Sequence, residues 1–299
     1  MGSFASDSEM KKLLIYLILA VLVAWALTRP TTMDPDRLPP RNPDPANGEL
    51  VFHAGGCASC HGEDLAGGLE LHSDFGTFRV PNISPDPEAG IGNWSELDLA
   101  NAMMHGVSPA GKHYFPSFPY TSYTRMEPGD IIDLKAYLDG FEPQSNKAPG
   151  HELSFPWNLR RAVGLWKKLY FKQRPVMTAD DLDGPARRGR YLVEAIGHCA
   201  ECHTPRGVLG GMDTGRWLAG GPNPDGEGSI PNITPHEDGL AEWSQADIAY
   251  YLESGFTPDF DTVGGSMVAV QESFARLPKS DLEAVAAYLK AVPAQESSK

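Results

Sequence analysis

HAGGCASCHGED at 53–64 and AIGHCAECHTPR at 195–206 decide how this chain is to be read. Each stretch holds C-x-x-C followed at once by histidine: Cys57, Cys60 and His61 in the first, Cys199, Cys202 and His203 in the second. These two stretches use all 4 cysteines of the chain. Working outward, the sequence repeats itself. VPNISPD (80–86), NWSELDL (93–99) and GDIIDLKAYL (129–138) follow the first stretch; IPNITPH (230–236), EWSQADI (242–248) and SDLEAVAAYL (280–289) follow the second. The order is the same and the spacing nearly so. The second copy is longer by eight residues between the cysteine motif and PNI, and NPDGEG (223–228) reads as the insertion. A self-similar chain of this kind is one fold used twice, not one large domain.

C-x-x-C-H is the attachment pattern of c-type haem. Two thiols at this spacing reach the two vinyl groups of one porphyrin, and the adjacent imidazole comes under the iron. Cys57 and Cys60 with His61, and Cys199 and Cys202 with His203, therefore predict two covalently bound haem c. A zinc ribbon would need its pairs about 15–20 residues apart, and a thioredoxin-like site would need one C-x-x-C in a βαβ setting. Disulfides would leave both histidines unexplained.

Local signals agree between the copies. Ser95 and Ser244 each open a helix, with Asp98 or Asp247 three residues on and Leu99 or Ile248 placed to pack on the preceding Trp94 or Trp243, a capping box with a hydrophobic staple. Leu134, Tyr137, Leu138 and Phe141 recur at helical spacing, matched by Val285, Tyr288, Leu289 and Val292. Short helices should precede each cysteine motif, near 48–54 and 187–195. No strand pattern of useful length stands out, so the expected class is all-α with long loops.

The sixth iron ligand is less direct. Methionine is the usual choice in electron carriers, where it raises the potential. Position leaves Met103, Met104, Met126 and Met267. Met267 in GGSM suits the second haem. Met126 leads for the first, although alignment on the last helices pairs it with Leu277, which makes it equally a staple against Ile131. Met103 pairs with Leu252 on a buried helix face, and His105 and His113 stay open as alternatives.

Three further features complete the reading. Lys11 and Lys12 precede LLIYLILAVLVAWAL (13–27), which predicts either an uncleaved anchor from Met10 to Thr28 or a signal peptide cut near Ala24-Trp25-Ala26. Residues 29–46 are Pro-rich and read as an extended spacer. Residues 155–175 hold six Lys or Arg and no acid in a chain of net charge −14. There Leu159, Val163, Trp166 and Tyr170 would share one helix face and Arg160, Arg161, Lys167 and Lys168 the other, fitting either a membrane or partner surface or a strap across both domains. The acidic balance argues against nucleic acid and for a basic protein partner.

HYFPSFPYTSYTRM (113–126), CAECHTPRGVLGG (199–211), LAGGPNPDGEGSIPNITP (218–235) and GGSMVAVQ (264–271) resemble proteobacterial membrane-associated multihaem cytochromes c. Among these are the cytochrome c subunits of quinoprotein alcohol dehydrogenase, gluconate dehydrogenase and molybdenum hydroxylases. The resemblance covers roughly 47–141 and 186–293 and departs where relatives often carry Met before Pro-Tyr and this chain has Phe118. It implies two tandem class I cytochrome c domains behind an N-terminal membrane helix. The expected layout is 1–28 anchor or signal, 29–46 linker, 47–141 first domain, 142–185 connecting segment, 186–293 second domain and 294–299 tail. It also implies electron transfer on the periplasmic side of the inner membrane, from a dehydrogenase or respiratory complex to a soluble cytochrome or terminal oxidase. The resemblance carries over to Cys57, Cys60, Cys199 and Cys202 as cofactor-binding residues and to His61, His203 and Met267 as metal ligands; Met126, from its position, completes the expected set. A dihaem enzyme such as a thiosulfate dehydrogenase or peroxidase, acting at the first haem, is the alternative.

Overall fold

An unbroken apolar run behind Lys11 and Lys12 gives α1 (Asp7–Leu27), a single helix with every side chain exposed, in the computed structural model, which describes residues 7–223 and 228–298. At 21 residues it is long and apolar enough to cross a membrane. The Pro-rich stretch after it was expected to stand free and instead lies on the first repeat. Met33 is buried and its N–H donates to Asn101 Oδ1 at 2.7 Å, while Arg41 pairs with buried Asp133 at 2.9 Å. Prolines cannot donate, so the tethering falls to the few non-proline N–H groups, Met33 and Asp44, and to the Arg41 side chain.

The first copy runs α2 (Pro45–Ala54), α3 (Cys57–His61), strands β1 (Glu70–Ser73) and β2 (Gly76–Arg79), α4 (Glu96–His105), α5 (Tyr120–Tyr123) and α6 (Pro128–Leu138). β3 (Glu152–Leu153) and α7 (Val163–Tyr170) connect it to the second copy. That copy runs α8 (Gly184–Tyr191), α9 (Ala200–His203), β4 (Gly221–Pro222), β5 (Ser229–Ile230), α10 (Gln245–Ser254), α11 (Met267–Phe274) and α12 (Lys279–Ala291). Both capping boxes form. The hydroxyls of Ser95 and Ser244 each accept from the N–H three residues on at 3.1 Å, and Asp98 and Asp247 accept the reciprocal N–H bonds at 3.0 and 2.8 Å.

In both copies the helix before the cysteine motif crosses the last helix at a glycine. A Cβ at Gly48 would stand 2.1 Å from the Asp133 carbonyl oxygen on α6, and one at Gly189 would stand 1.8 Å from that of Ala284 on α12. The apolar stripes meet there: Leu134, Leu138, Val285, Tyr288, Leu289 and Val292 are buried in one core that runs through both copies. The copies differ at one point of this crossing. One more residue separates Gly189 from Gly197 than Gly48 from Gly55. The second copy absorbs it as a π-helical turn, Leu192–Ile196, after α8, the usual way a helix accommodates one inserted residue.

The all-α expectation needs correction. β1, β2 and β3 form a small antiparallel sheet in which Ser73 pairs with Gly76 across a tight turn and Thr77 pairs with Glu152, and β4 pairs with β5. Strands this short leave little alternation to read. Arg79 closes the sheet edge on Glu70 at 2.7 Å and Glu152 at 2.9 Å. Of the NPDGEG insertion, residues 224–227 lie outside the described residues.

α7 is also turned differently from the expectation. Lys167 on it, and Arg160 and Arg161 just before it, bond to the protein, while Lys168 stays exposed. Lys167 Nζ donates to the His105 and Gly106 carbonyls at 2.5 and 2.8 Å, closing the C-terminus of α4, and sits 4.5 Å above the Tyr120 ring. Arg160 donates to the His113 carbonyl at 2.9 Å, and Arg161 to the Trp25 carbonyl at 2.7 Å at the end of α1. Unpaired carbonyls at helix ends attract cations more strongly than solvent-facing positions do. Trp166 Nε1 donates to the Leu209 carbonyl at 2.8 Å, so α7 straps the first copy to the second, while Leu165 and Leu169 face outward.

Gly189→Ala is expected to lower stability by about 1–3 kcal/mol, the usual cost of forcing a methyl into a closed contact. Thermal unfolding of the variant beside wild type checks this, and an unchanged midpoint would mean that the crossing opens freely.

Candidate haem sites

The cysteine motifs sit on short helices whose entry needs a left-handed residue. Gly56 supplies it at φ 56° in the first copy; His198 takes the same place at φ 40° in the second. Cys57 and Cys199 are half-buried, Cys60 and Cys202 exposed, and no disulfide joins any two of these four, all described residues. Burial pushes the Cys57 and Cys199 thiols up to about 12, so both stay protonated near neutrality.

The histidines are oriented by backbone far along the chain. His61 Nδ1 lies 2.8 Å from the Pro81 carbonyl oxygen, and His203 Nδ1 lies 2.8 Å from that of Pro231. A carbonyl only accepts, so each Nδ1 carries the proton and each Nε2 keeps its lone pair. Burial drives His61 down to about 4 and lowers His203 as well, which keeps both imidazoles neutral. Gly67 and Gly220 N–H groups donate to the His61 and His203 carbonyls at 2.8 Å each. Two thiols outside any disulfide and one pre-oriented imidazole nitrogen per copy are the donor set that a covalently held haem requires. The residues fit the group. In this arrangement Cys57 and Cys60, or Cys199 and Cys202, would carry the thioethers, and His61 or His203 the iron.

The PNI motifs exist to hold those carbonyls. Asn82 Oδ1 accepts the Ser84 N–H at 2.8 Å while its amide donates to Gln144 O at 2.6 Å. Asn232 does the same with Thr234 N–H at 2.8 Å and Gln295 O at 2.7 Å. Both asparagines are buried, so each ties the proline loop to the chain that leaves the last helix.

Met267 is the first residue of α11 and is half-buried against the core. Met126 is 3% exposed and immediately precedes the N-cap of α6, where Leu277 stands in the second copy before α12.

The two motifs face one another. The His198 imidazole Nε2 lies 3.2 Å from the Gly55 carbonyl, two residues before Cys57, and its ring meets Tyr123 edge-on at 5.5 Å. Glu201, inside the second motif, accepts hydrogen bonds from Thr121 and, at 3.0 Å, from Ser122 of α5. Burial alone would raise this carboxyl, but Arg206 beside it and the Thr121 hydroxyl hold it below the usual carboxylate range. Tyr191 donates to Asp130 at 2.5 Å and accepts the Glu127 N–H at 2.9 Å. Buried Glu194 accepts from Tyr288 at 2.6 Å and from the Val176 and Met177 N–H groups at 2.7 and 3.0 Å. Apart from Tyr288, placed on the apolar stripe of the last helix, none of these groups was singled out in the sequence. Glu201 fills a variable position of its motif, and His198 carries no local pattern.

Two segments of the chain, 45–141 and 186–293, match the cytochrome c family model. A diheme cytochrome c-type protein of Cereibacter sphaeroides is 51% identical over 293 residues, covering 95% of this chain and 97% of that protein. The fructose dehydrogenase cytochrome subunit of Gluconobacter japonicus is 32% identical over 93% of this chain. The cytochrome c subunit of the quinone alcohol dehydrogenase of Gluconobacter oxydans is 36% identical over 84%. This chain spans only 58% and 55% of those two subunits.

Asn232→Ala is expected to leave the Thr234 N–H buried without its partner, at a cost of about 1–3 kcal/mol. A lowered unfolding midpoint together with a shifted His203 Nδ1–H proton resonance is the expected outcome. An unmoved resonance would remove the asparagine from the orientation of the imidazole.

Proposed function

The chain belongs to the cytochrome c family, and from that premise we propose that it is a membrane-held dihaem electron carrier. One covalently bound haem c sits in each copy, and iron porphyrin supplies one-electron exchange when bound. The work of the protein is to hold two such groups at a fixed separation and to exclude water between them. The observation that carries this reading is the meeting of the two cysteine motifs, with His198 against the Gly55 carbonyl and Glu201 held by Thr121 and Ser122. Contacts of this kind, within and beside the attachment motifs, make one rigid redox unit from two repeats. A fixed separation suits electrons that enter at one copy and leave at the other.

Position in the cell follows from the N-terminus. α1 has the length and composition of a membrane span, and thiols destined for haem belong to an exported chain. Arg161 of the connecting segment on the Trp25 carbonyl and His113 of the first copy, with Nε2 at 2.9 Å from the Thr28 carbonyl, attach the protein to the end of α1. The carrier therefore works on the periplasmic face of the bacterial inner membrane, with its first copy next to the bilayer. Relatives named as cytochrome subunits of fructose and alcohol dehydrogenases favour a dehydrogenase as donor. A net charge of −14 favours a basic soluble cytochrome or a basic face of an oxidase as acceptor, by electrostatic steering.

The purified chain, denatured in acid acetone, should retain porphyrin absorbance and a mass increment of two haem groups. Cys57→Ser combined with Cys60→Ser should retain one. A wild-type chain with fewer than two would end the dihaem reading. Carbonate washing of membranes should leave the full chain in the pellet, and its release would end the anchored one.

A further inference from the structure

We infer that the two haems differ in kind: Met267 closes the second iron, whereas the first iron receives no thioether from the protein and takes small π-acceptor ligands such as carbon monoxide. This rests on the dihaem reading above. It comes from laying one copy on the other, hydrogen bond by hydrogen bond, through the loop that each chain sends from its α4 or α10 helix towards its last helix.

The entry to that loop is the same in both copies. Tyr114 N–H donates to the Gly106 carbonyl as Val263 N–H does to that of Gly255, each at 2.8 Å. Ser108 N–H donates to Lys112 O as Thr257 N–H does to Asp261 O, each at 2.9 Å. The exit is the same too. Thr124 N–H on Tyr120 O matches Ala275 N–H on Gln271 O, and Met126 N–H on Tyr123 O matches Leu277 N–H on Phe274 O. Between these fixed points the second copy has GGSMVAV (264–270) and the first has FPSFP (115–119). The lengths differ by two residues, so the pairing inside the loop is open, but the conclusion does not depend on it. No residue of FPSFP can bind iron through sulfur or imidazole.

The same register disposes of the substitutes. Met126 falls on Leu277, and both stand buried just before their last helix, where Ile131 and Leu282 are also buried four residues into it. That is the geometry of a hydrophobic staple. Met103 falls on buried Leu252, and Met104 on exposed Glu253. Met104 thus occupies a face that the second copy gives to solvent and the first buries, one turn after Asn101, where the Met33 N–H is bound. His105 falls on Ser254 on the same turn, and the charged groups beside its buried ring are Arg37 of the Pro-rich stretch and Lys167 of α7, not the first motif. His113 falls on Thr262 and directs Nε2 to the Thr28 carbonyl.

What FPSFP brings in place of a ligand is an aromatic wall. Phe118 meets Tyr114 at 5.6 Å and Tyr123 at 5.8 Å. Tyr123 stands by the first attachment motif: burial and then the thiols of Cys57 and Cys60 raise its hydroxyl well above the ordinary value. The loop therefore reaches the first motif through Phe118 packed on Tyr123, and it brings rings where the second copy's sequence brings Met267. Iron with a neutral imidazole on one side and an apolar, ring-lined space on the other favours small uncharged ligands.

The test uses the full detergent-extracted chain, reduced with dithionite and titrated with carbon monoxide after its haem content has been counted by mass. About one carbon monoxide per two haems is expected, and Met126→Leu is expected to leave that ratio and the oxidised EPR spectrum unchanged. Replacing 115–119 by GGSMVAV should abolish binding. A wild-type chain that binds none, or two, overturns the inference, as does Met126→Leu binding more than wild type. Fewer than two porphyrins by mass would instead strike at the dihaem reading, so the two failures are distinguishable.

Discussion

A histidine Nδ1–H committed to a proline carbonyl is the constraint on which the rest of this structure depends. The bond fixes the tautomer, turns the ring and leaves one nitrogen available, and it does so twice, at His61 with Pro81 and His203 with Pro231. The carbonyl is useful only if its loop is rigid. Hence the buried asparagine after each proline, its bonds to the chain leaving α6 or α12, and the glycine crossings that bring those helices against α2 and α8. Read in that order, much of the scaffold is support for two carbonyl oxygens. Such supporting bonds are characteristic of ligand histidines, whose orientation is set by the partner of the other ring nitrogen.

Joining two such units adds a second requirement, since each attachment motif must pack against a neighbour as well as hold its own group. The interface solves this with polar groups that would be costly alone. Glu201 is satisfied by Thr121, Ser122 and Arg206; Glu194, held in its own copy by Tyr288, faces Arg125 of the first copy at 3.9 Å. Buried carboxylates with complete partners specify one arrangement, because any slip leaves a charge without its bonds. The strap helix works in the same direction. Lys167, lowered to about 7 by burial, lies where two helix-end carbonyls and an aromatic face compensate for the lost water.

The repeat, the capping boxes, the apolar stripes of α6 and α12 and the six motif residues were legible in the sequence because each is a local pattern with a short period. What was not legible depends on partners distant in sequence. The inward turn of α7 could not be read from its spacing, since amphipathic periodicity says which residues share a face and not what lies opposite. Lys167 and Arg160 face the protein because the α4 terminus and the His113 carbonyl are there. The β1–β2–β3 sheet escaped because its strands run four, four and two residues, too few for alternation to stand out. His198 looked like an unremarkable neighbour of Cys199 until its backbone took the left-handed conformation that Gly56 has in the other copy.

Gly56 against His198 is one divergence beside the attachment motifs; the larger one lies elsewhere. Behind the irons, the histidine, proline carbonyl and asparagine bonds agree between the copies to within 0.1 Å. On the distal side, the loop from Tyr114 to Tyr120 and its counterpart from Val263 to Gln271 share their hydrogen bonds at both ends but not between them, so length and composition there have changed. Any chemical difference between the two sites is therefore concentrated on the distal face. FPSFP and GGSMVAV share neither length nor ligand chemistry, while the histidine, proline carbonyl and asparagine behind them are unchanged. A protein built this way can alter what one iron binds without disturbing how either is held.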